Sequence, residues 1–374
     1  MLHKGGSGGI RGSEVCFIEA AKALVDAGYT VTVCRDRPVM DEALTGVVAE
    51  IEEFQCPEVM IDGWSTRMPV VQYSRAFRRL RRLVRRLRPA IIYANGGLPC
   101  QTAVPVGRST GTPVLCHYHH PATTRYYYLW LLKYADHRIY PSEYTRNHVR
   151  SRLGVDGDVV FNGVDTEVYR PQHRRSLRAL RDRLGIPQDA VVVGQVGALV
   201  AHKQPDMVIR SFARAAAQMS ALYLCLVGAG PLEASLRALV RALGLEQRVV
   251  FAGYVDSTLP YYQEVIDIAV LASHTEGLGI SILESSSCGL PAVIADGSGL
   301  RETVRPGETG LIFPPDDEGT LAKLLLELAA DPDRRHAMGM AGRHWVVERF
   351  SLEQYRFRVV AAVDQTSKRM RTGR

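Results

Sequence analysis

Apolar residues recur along the chain as short continuous runs, each followed by a polar loop and then by a stretch with helical spacing. In the first half these runs are Tyr29–Cys34, Ala90–Ala94, Pro113–His120 and Ala135–Ser142. In the second half they are Ala190–Val196, Leu222–Gly230, Val249–Gly253, Ile268–Leu271, Pro291–Ala295 and Gly310–Phe313. Unbroken runs of this length predict strands covered on both faces, as in a parallel sheet with helices above and below. The fold class expected is therefore α/β. Two helices should follow Phe313, and a last one should run from Ser351 to about Lys368.

The start of the chain departs from this rhythm. Only Met1-Leu2-His3 precede the glycine-rich loop, which leads into a helix expected from about Ser13 to Ala27, closed by Gly28. The first strand should thus be a stub or absent, although its place would be central, unless the true start lies upstream. Gly6-Ser7-Gly8 with Gly12 falls one residue short of the G-x-G-x-x-G register, which is weak support for a dinucleotide. Arg75–Arg88 has apolar residues at 76, 77, 80, 83, 84 and 87 and arginines elsewhere. One apolar face packed on a sheet with arginines in solvent accounts for that spacing, and anionic lipid headgroups are the sharper alternative.

The densest chemistry lies between Ile268 and Glu302. A loop, His274-Thr275-Glu276-Gly277-Leu278-Gly279, follows the Ile268–Leu271 run, and Ser281–Cys288 reads as a helix stopped by Gly289. Loops at the carboxyl ends of parallel strands are where ligands bind, and amides of Gly277, Gly279 and Ile280 at a helix start suit a phosphate. Glu276 and Glu284 are separated by seven residues. The plainer alternatives are a solvated loop carboxylate for Glu276 and a capping box, Ser281-x-x-Glu284, for the second.

Glu276-Gly277-Leu278-Gly279 … Glu284 … Cys288-Gly289-Leu290-Pro291 resembles the E-x7-E signature of retaining glycosyltransferases of family four. That resemblance implies a GT-B fold, two Rossmann-like domains facing across a cleft. It implies domains at 1–171 for the acceptor and 172–349 for the nucleotide sugar, with 350–374 as a helix crossing back to the first. Glu276 would then lie near the donor sugar, Glu284 on the nucleotide ribose, and Gly277, Leu278, Gly279 and Ile280 around the diphosphate. Val196-Gly197-Ala198-Leu199 … Lys203 resembles the family's V-G-R-L-x-x-x-K-G, whose cations hold the diphosphate. Lys203 is kept, whereas Ala198 stands for the arginine and Gln204 for the glycine; Arg11 is one candidate replacement. The glycine loop, Gly8 and Gly9 included, would approach the phosphates. His119 matches the histidine facing the reacting sugar, with His117 and His120 as competitors. Val159–Pro171 resembles N-G-V-D-x-x-x-F-x-P with Tyr169 for Phe, and Tyr254 and Val255 follow a V-x-F-x-G segment near the base.

Composition narrows the setting. The chain has 374 residues, 46% hydrophobic and 23% charged, as in a soluble globular protein of two ordinary domains. A formal charge of +7 favours anionic partners such as nucleotides, phospholipid surfaces or nucleic acid. Cys16, Cys34, Cys56, Cys100, Cys116, Cys225 and Cys288 show no C-x-x-C spacing, which reads as buried thiols of a cytoplasmic protein. No run has the length of a membrane span, and peripheral binding at the inner membrane face is the most that is expected. Asp156-Gly157-Asp158 is formally a D-x-D, yet a turn before a strand explains it, and the resemblance implies neither a catalytic metal nor another cofactor.

The reaction implied is transfer, with retention, from a UDP-, GDP- or ADP-sugar to an acceptor hydroxyl in polysaccharide, glycolipid or metabolite synthesis, lipid-linked acceptors among them. His119, Glu276 and Lys203 are the candidate catalytic residues, and Lys203 with Val255 and Glu284 is assigned to the donor. A sugar-nucleotide epimerase of the same fold would use the same donor site without an acceptor. A nucleic-acid binder would leave Glu276, Glu284 and Lys203 without a role.

Overall fold

The computed structural model describes residues 1–5, 12–57, 59–62, 65–67, 69–172 and 179–372. Gly8, Gly9 and Arg11 lie outside the described residues. The chain divides into two compact units, Met1–Gly163 with Leu352–Arg374, and Val164–Ser351.

In the first unit, strands β1 (Leu2–His3), β2 (Thr32–Arg35) and β3 (Glu50–Glu53) precede a short antiparallel ribbon, β4 (Met60–Asp62) and β5 (Ser65–Arg67). Then come β6 (Ile92–Asn95), β7 (Val114–His117), β8 (His137–Tyr140) and β9 (Asp158–Val159). Apart from the ribbon they form a parallel sheet in the order β3-β2-β1-β6-β7-β8-β9. The stub expected at the start is two residues long and does sit centrally, with Leu2 opposite Cys34 on one side and Ala94 on the other.

Helix Leu352–Thr372 belongs to this unit and packs on helix Gly12–Asp26. The Tyr355 hydroxyl donates to the Cys16 carbonyl at 2.7 Å, Arg356 pairs with Glu19, and Thr366 bonds His137 Nδ1 at 2.8 Å. The arginine helix spans Val70–Leu87, beginning earlier than its arginines suggest. Ala76, Leu80 and Val84 are buried, whereas Arg79 and Arg86 turn outward to Glu52 and Glu50. Asp156 and Asp158 of the D-x-D segment are used locally. Asp156 caps the Gly157 amide and faces Arg146 and Arg150, and Asp158 bonds His137 at 2.9 Å.

The second unit holds β10 (Val191–Val196), β11 (Leu222–Val227), β12 (Val249–Gly253), β13 (Ile268–Leu271), β14 (Ala292–Ala295) and β15 (Gly310–Phe313). Their order is β12-β11-β10-β13-β14-β15, all parallel. Their unbroken hydrophobicity has a direct cause in the period-2 geometry of a strand. Val193, Leu224, Val270 and Val293 enter one core with Phe212 and Leu325 from helices Pro205–Ala216 and Glu318–Ala330. Their neighbours Val192 and Cys225 enter a core on the other face with Tyr262 and Ile266, and Ala269 and Ile294 pack there with Leu300.

Candidate active site

In the second sheet the order of connection reverses between β10 and β13, the place where open α/β sheets bind ligands outside their strand ends. Lys203 lies on the turn after β10 and Glu276 on the loop after β13. The two side chains meet as an ion pair, and Ser273 Oγ donates to the same carboxylate oxygen at 3.1 Å. Glu276 is only 6% exposed, which excludes the reading of a solvated loop residue. Its loop is shaped by close backbone approach. A Cβ on Gly299 would sit 2.2 Å from the Gly277 carbonyl oxygen, and the Gly299 amide donates to the Glu276 carbonyl at 3.1 Å.

The following helix spans Ile280–Ser287 with Gly279 as its cap at φ +99°, where a side chain would be strained and would also strike Leu300. Ser281 is therefore inside the helix and not its cap, so the capping-box alternative fails. Glu284 is the fifth helical residue, beyond the first turn expected for it. Its carboxylate turns instead to Thr258 Oγ1 at 3.2 Å and the Tyr262 hydroxyl at 3.1 Å, both on Oε2, and the Tyr169 hydroxyl lies 3.1 Å from Thr258 Oγ1. Burial raises the Glu284 carboxyl to about 7, against the opposing pull of the hydroxyls of Tyr262, Thr258 and Tyr169. The first amides of this helix have no intrahelical acceptor and remain at the sheet's carboxyl edge beside Lys203 and Glu276.

At the rim of the same edge Gln204, at φ +48°, donates to Asp316, at φ +63°, with a 3.0 Å bond, and His274 Nε2 lies 2.8 Å from the same oxygen. Gln204 occupies the position of a glycine in the resembling motif, and it keeps the left-handed backbone a glycine would supply. Val255 packs against the core containing Tyr262, while Tyr254 is 62% exposed. Beside Ala198 no arginine partner of Lys203 is found among the described residues.

His119 lies after β7 in the first unit and is buried. Its Nε2 is 2.8 Å from Asn95 Oδ1 at the end of β6, and Asn95 Nδ2 is 2.8 Å from His3 Nδ1 at the end of β1. Burial holds His119 well below the ordinary histidine value, helped by the neighbouring His117, His120 and His3. His117 is committed to the core: its Nδ1 bonds the Tyr93 hydroxyl at 2.5 Å, and burial lowers it to about 3. Of the competing histidines, His119 thus has the partner chain that reaches the sheet's own crossover, between β1 and β6.

Several participants have no signal in the sequence. Thr258, Tyr262, Ser273, His3 and Asn95 belong to no motif; Tyr169 stood out only as a replacement for Phe, and its hydroxyl is what the replacement adds.

Comparison with known proteins supplies the family. Residues 178–345 match the family "Glycosyl transferases group 1", and residues 10–168 match "Glycosyltransferase Family 4". A GDP-mannose-dependent alpha-(1-6)-phosphatidylinositol monomannoside mannosyltransferase of Mycolicibacterium smegmatis is 34% identical over 224 residues, 57% of this chain and 58% of that protein. A D-inositol 3-phosphate glycosyltransferase of Mycobacterium bovis is 35% identical over 56% of this chain and 45% of its own length. The chain thus spans little more than half the length of the curated relatives it matches most strongly. Among solved structures, Anabaena Alr3699/HepE in complex with UDP and glucose superposes with a TM-score of 0.82 at 20% identity, covering 97% of this chain and 98% of that one. With both units matched in sequence and the GT-B fold matched in structure, the chain belongs to glycosyltransferase family 4.

Proposed function

We propose that this protein is a retaining glycosyltransferase that moves a sugar from a nucleotide-sugar donor to an acceptor hydroxyl, in glycolipid, polysaccharide or glycosylated-metabolite synthesis. The observation that carries the reading is the crossover of the second sheet. One cation, one buried carboxylate, a helix start and a second carboxylate held by hydroxyls lie there together. Lys203 and the amides of Gly277, Leu278, Gly279 and Ile280 suit a diphosphate, and Gly8 and Gly9 are the further backbone candidates. Glu284 accepts from the ribose hydroxyls, Val255 flanks the base, and Glu276 and His119 address the sugar.

In the reaction, the bond from the anomeric carbon to the phosphate oxygen breaks and a bond to the acceptor oxygen forms on the same face. The acceptor proton passes to the departing phosphate oxygen, and no metal or other cofactor is required. Charge grows on the diphosphate as it leaves, so the protein's contribution there is electrostatic. The activities of the similar mannosyltransferases make GDP-mannose the first donor to try and a phosphate-bearing lipid the first acceptor; the UDP-bound neighbour makes UDP-sugars the second. The arginine helix, with Val70 and Val71 exposed at its start, is suited to an anionic bilayer, which supports reading the enzyme as peripheral to the inner membrane face.

The test is a thermal-shift screen of sugar nucleotides followed by product analysis. A donor at 100 times its Kd should stabilise by ~2.7 kcal/mol. Incubation with donor and acceptor should give a product whose anomeric configuration matches the donor. An inverted anomer would end the claim of retention, and a changed sugar nucleotide formed without acceptor would replace transfer by epimerisation.

A further inference from the structure

The first unit contains a buried hydrogen-bond chain whose proton positions follow from one fixed point. Asn95 Nδ2 lies 3.4 Å from the Ser13 carbonyl oxygen, an atom that only accepts, so the amide nitrogen and not its oxygen must face that way. The same nitrogen then donates to His3 Nδ1 at 2.8 Å, which makes Nδ1 of His3 the unprotonated ring atom. Its Nε2 carries the proton and faces Glu14 Oε1 at 3.4 Å. On the other side Asn95 Oδ1 can only accept, so at 2.8 Å His119 Nε2 carries the proton. His119 Nδ1 is consequently a lone pair, buried and without a hydrogen-bond partner among the described residues. His3, Glu14, Asn95 and His119 are each less than one tenth exposed. A buried acceptor left open in this way is available to a donor from outside the described residues.

We infer that Asn95, held by the Ser13 carbonyl and by His3 backed by Glu14, is a positioning residue that fixes the tautomer of His119, so that Nδ1 accepts a hydrogen bond from a hydroxyl of the bound sugar. This rests on the reading of His119 given above. The device differs from a carboxylate–histidine pair: a neutral amide sets the tautomer without drawing a second proton onto the ring. Imidazolium would clash with the Asn95 amide only on the His3 side, where an Nδ1 proton would meet an N–H.

The test reads the ring nitrogens directly. Protein labelled with 15N-histidine, with His119 assigned by loss of its signals in His119→Gln, is measured by two-bond 1H–15N correlation at pH 7.5. Wild type should show His119 protonated at Nε2 and bare at Nδ1; the opposite tautomer in the wild-type protein would overturn the inference without any variant. Asn95→Leu should release the tautomer into a mixture. Asn95→Asp, which accepts on both sides and guards against a misfolded leucine variant, should keep His119 protonated at Nε2 and move a proton onto His3 Nδ1. An unchanged His119 spectrum in a folded Asn95→Leu protein would also overturn it. In transfer assays Asn95→Leu should lower kcat by roughly tenfold with nucleoside diphosphate affinity unchanged, and Asn95→Asp should recover most of that loss. Should His119→Gln leave transfer intact while the tautomer follows Asn95 as described, the proposed role of His119 fails and the tautomer assignment stands.

Discussion

At its crossover the second unit sets a lysine against a carboxylate, between β10 and β13; at its own crossover the first unit sets a histidine against an amide, between β1 and β6. Both pairs occupy the same topological position in a parallel sheet, so the fold alone does not choose the chemistry. The difference is one of charge. Lys203 and Glu276 are ionisable partners beside helix amides, an arrangement that responds strongly when a polyanion arrives or departs. His3, Asn95 and His119 are neutral donors and acceptors in a chain, which distinguishes hydroxyl orientation while remaining insensitive to net charge. On the function proposed above, the crossover built from ions would meet the nucleotide diphosphate and the one built from neutral groups a sugar.

The contrast breaks most sharply at Lys203. Lys203→Ala should lower the rate of transfer by about 10²–10³-fold, since it removes the one assigned side-chain cation at the leaving diphosphate. Glycosyl transfer under saturating acceptor measures this, and a loss of less than fivefold would show that charge is supplied elsewhere.

Glu284→Gln should have the next largest effect, weakening nucleoside diphosphate binding by roughly 10-fold, as expected for a lost charge-assisted hydrogen bond. The same change should stabilise the unliganded protein. Burial lifts the Glu284 carboxyl to about 7, above its unfolded value, so its contribution to stability is full at low pH and is lost as pH rises through 7. At pH 8 the wild type holds an unfavourable buried charge that glutamine relieves, on the order of 1–3 kcal/mol. Melting curves of both proteins at pH 5.5 and pH 8 decide it; a lower melting temperature for the variant at both values would restore a purely structural role.

A pH effect on binding follows with a definite sign. If the ribose hydroxyls donate to ionised Glu284, nucleotide affinity in the wild type should rise between pH 6 and 8 by several-fold, and Glu284→Gln should flatten the rise. Calorimetric titration at the two values reads it out.

The smallest effect on turnover should come from the arginine helix. Replacing Arg78, Arg82 and Arg85 together by Gln should change transfer to a soluble acceptor by less than about twofold, while binding to anionic vesicles falls by ~1 kcal/mol per residue. Loss of turnover in free solution would place that helix in the site.

How far these regions are legible in the sequence follows the same division. Strands such as Ile268–Leu271 and Pro291–Ala295 are visible because burial on both faces forbids polar residues. Glu276, Glu284 and Lys203 are visible because glycines and a proline fix their loops. The chain from Glu14 to His119 is not, because its members come from four separate stretches joined only by the parallel order of β1, β6 and β7. The residue pattern points to a helix start at Ser281, one residue after the observed start at Ile280. Ser281 has the chemistry of a cap, but Gly279, pressed against Leu300, has the backbone conformation that ends the loop.

The last helix gives the first unit a history as well as a shape. Tyr355, Val359 and Val363 are buried in a unit whose other residues end at Gly163. On the ribosome, the sheet that carries His119 must wait while all of Val164–Ser351 is made. At about 5–20 residues per second this is a delay of roughly ten to forty seconds, during which the surface beside Cys16 and Glu19 stays uncovered. The second unit, made without interruption, can fold first. Newly made protein should therefore pass through a stage in which the second unit is folded and the first is still a client for chaperones.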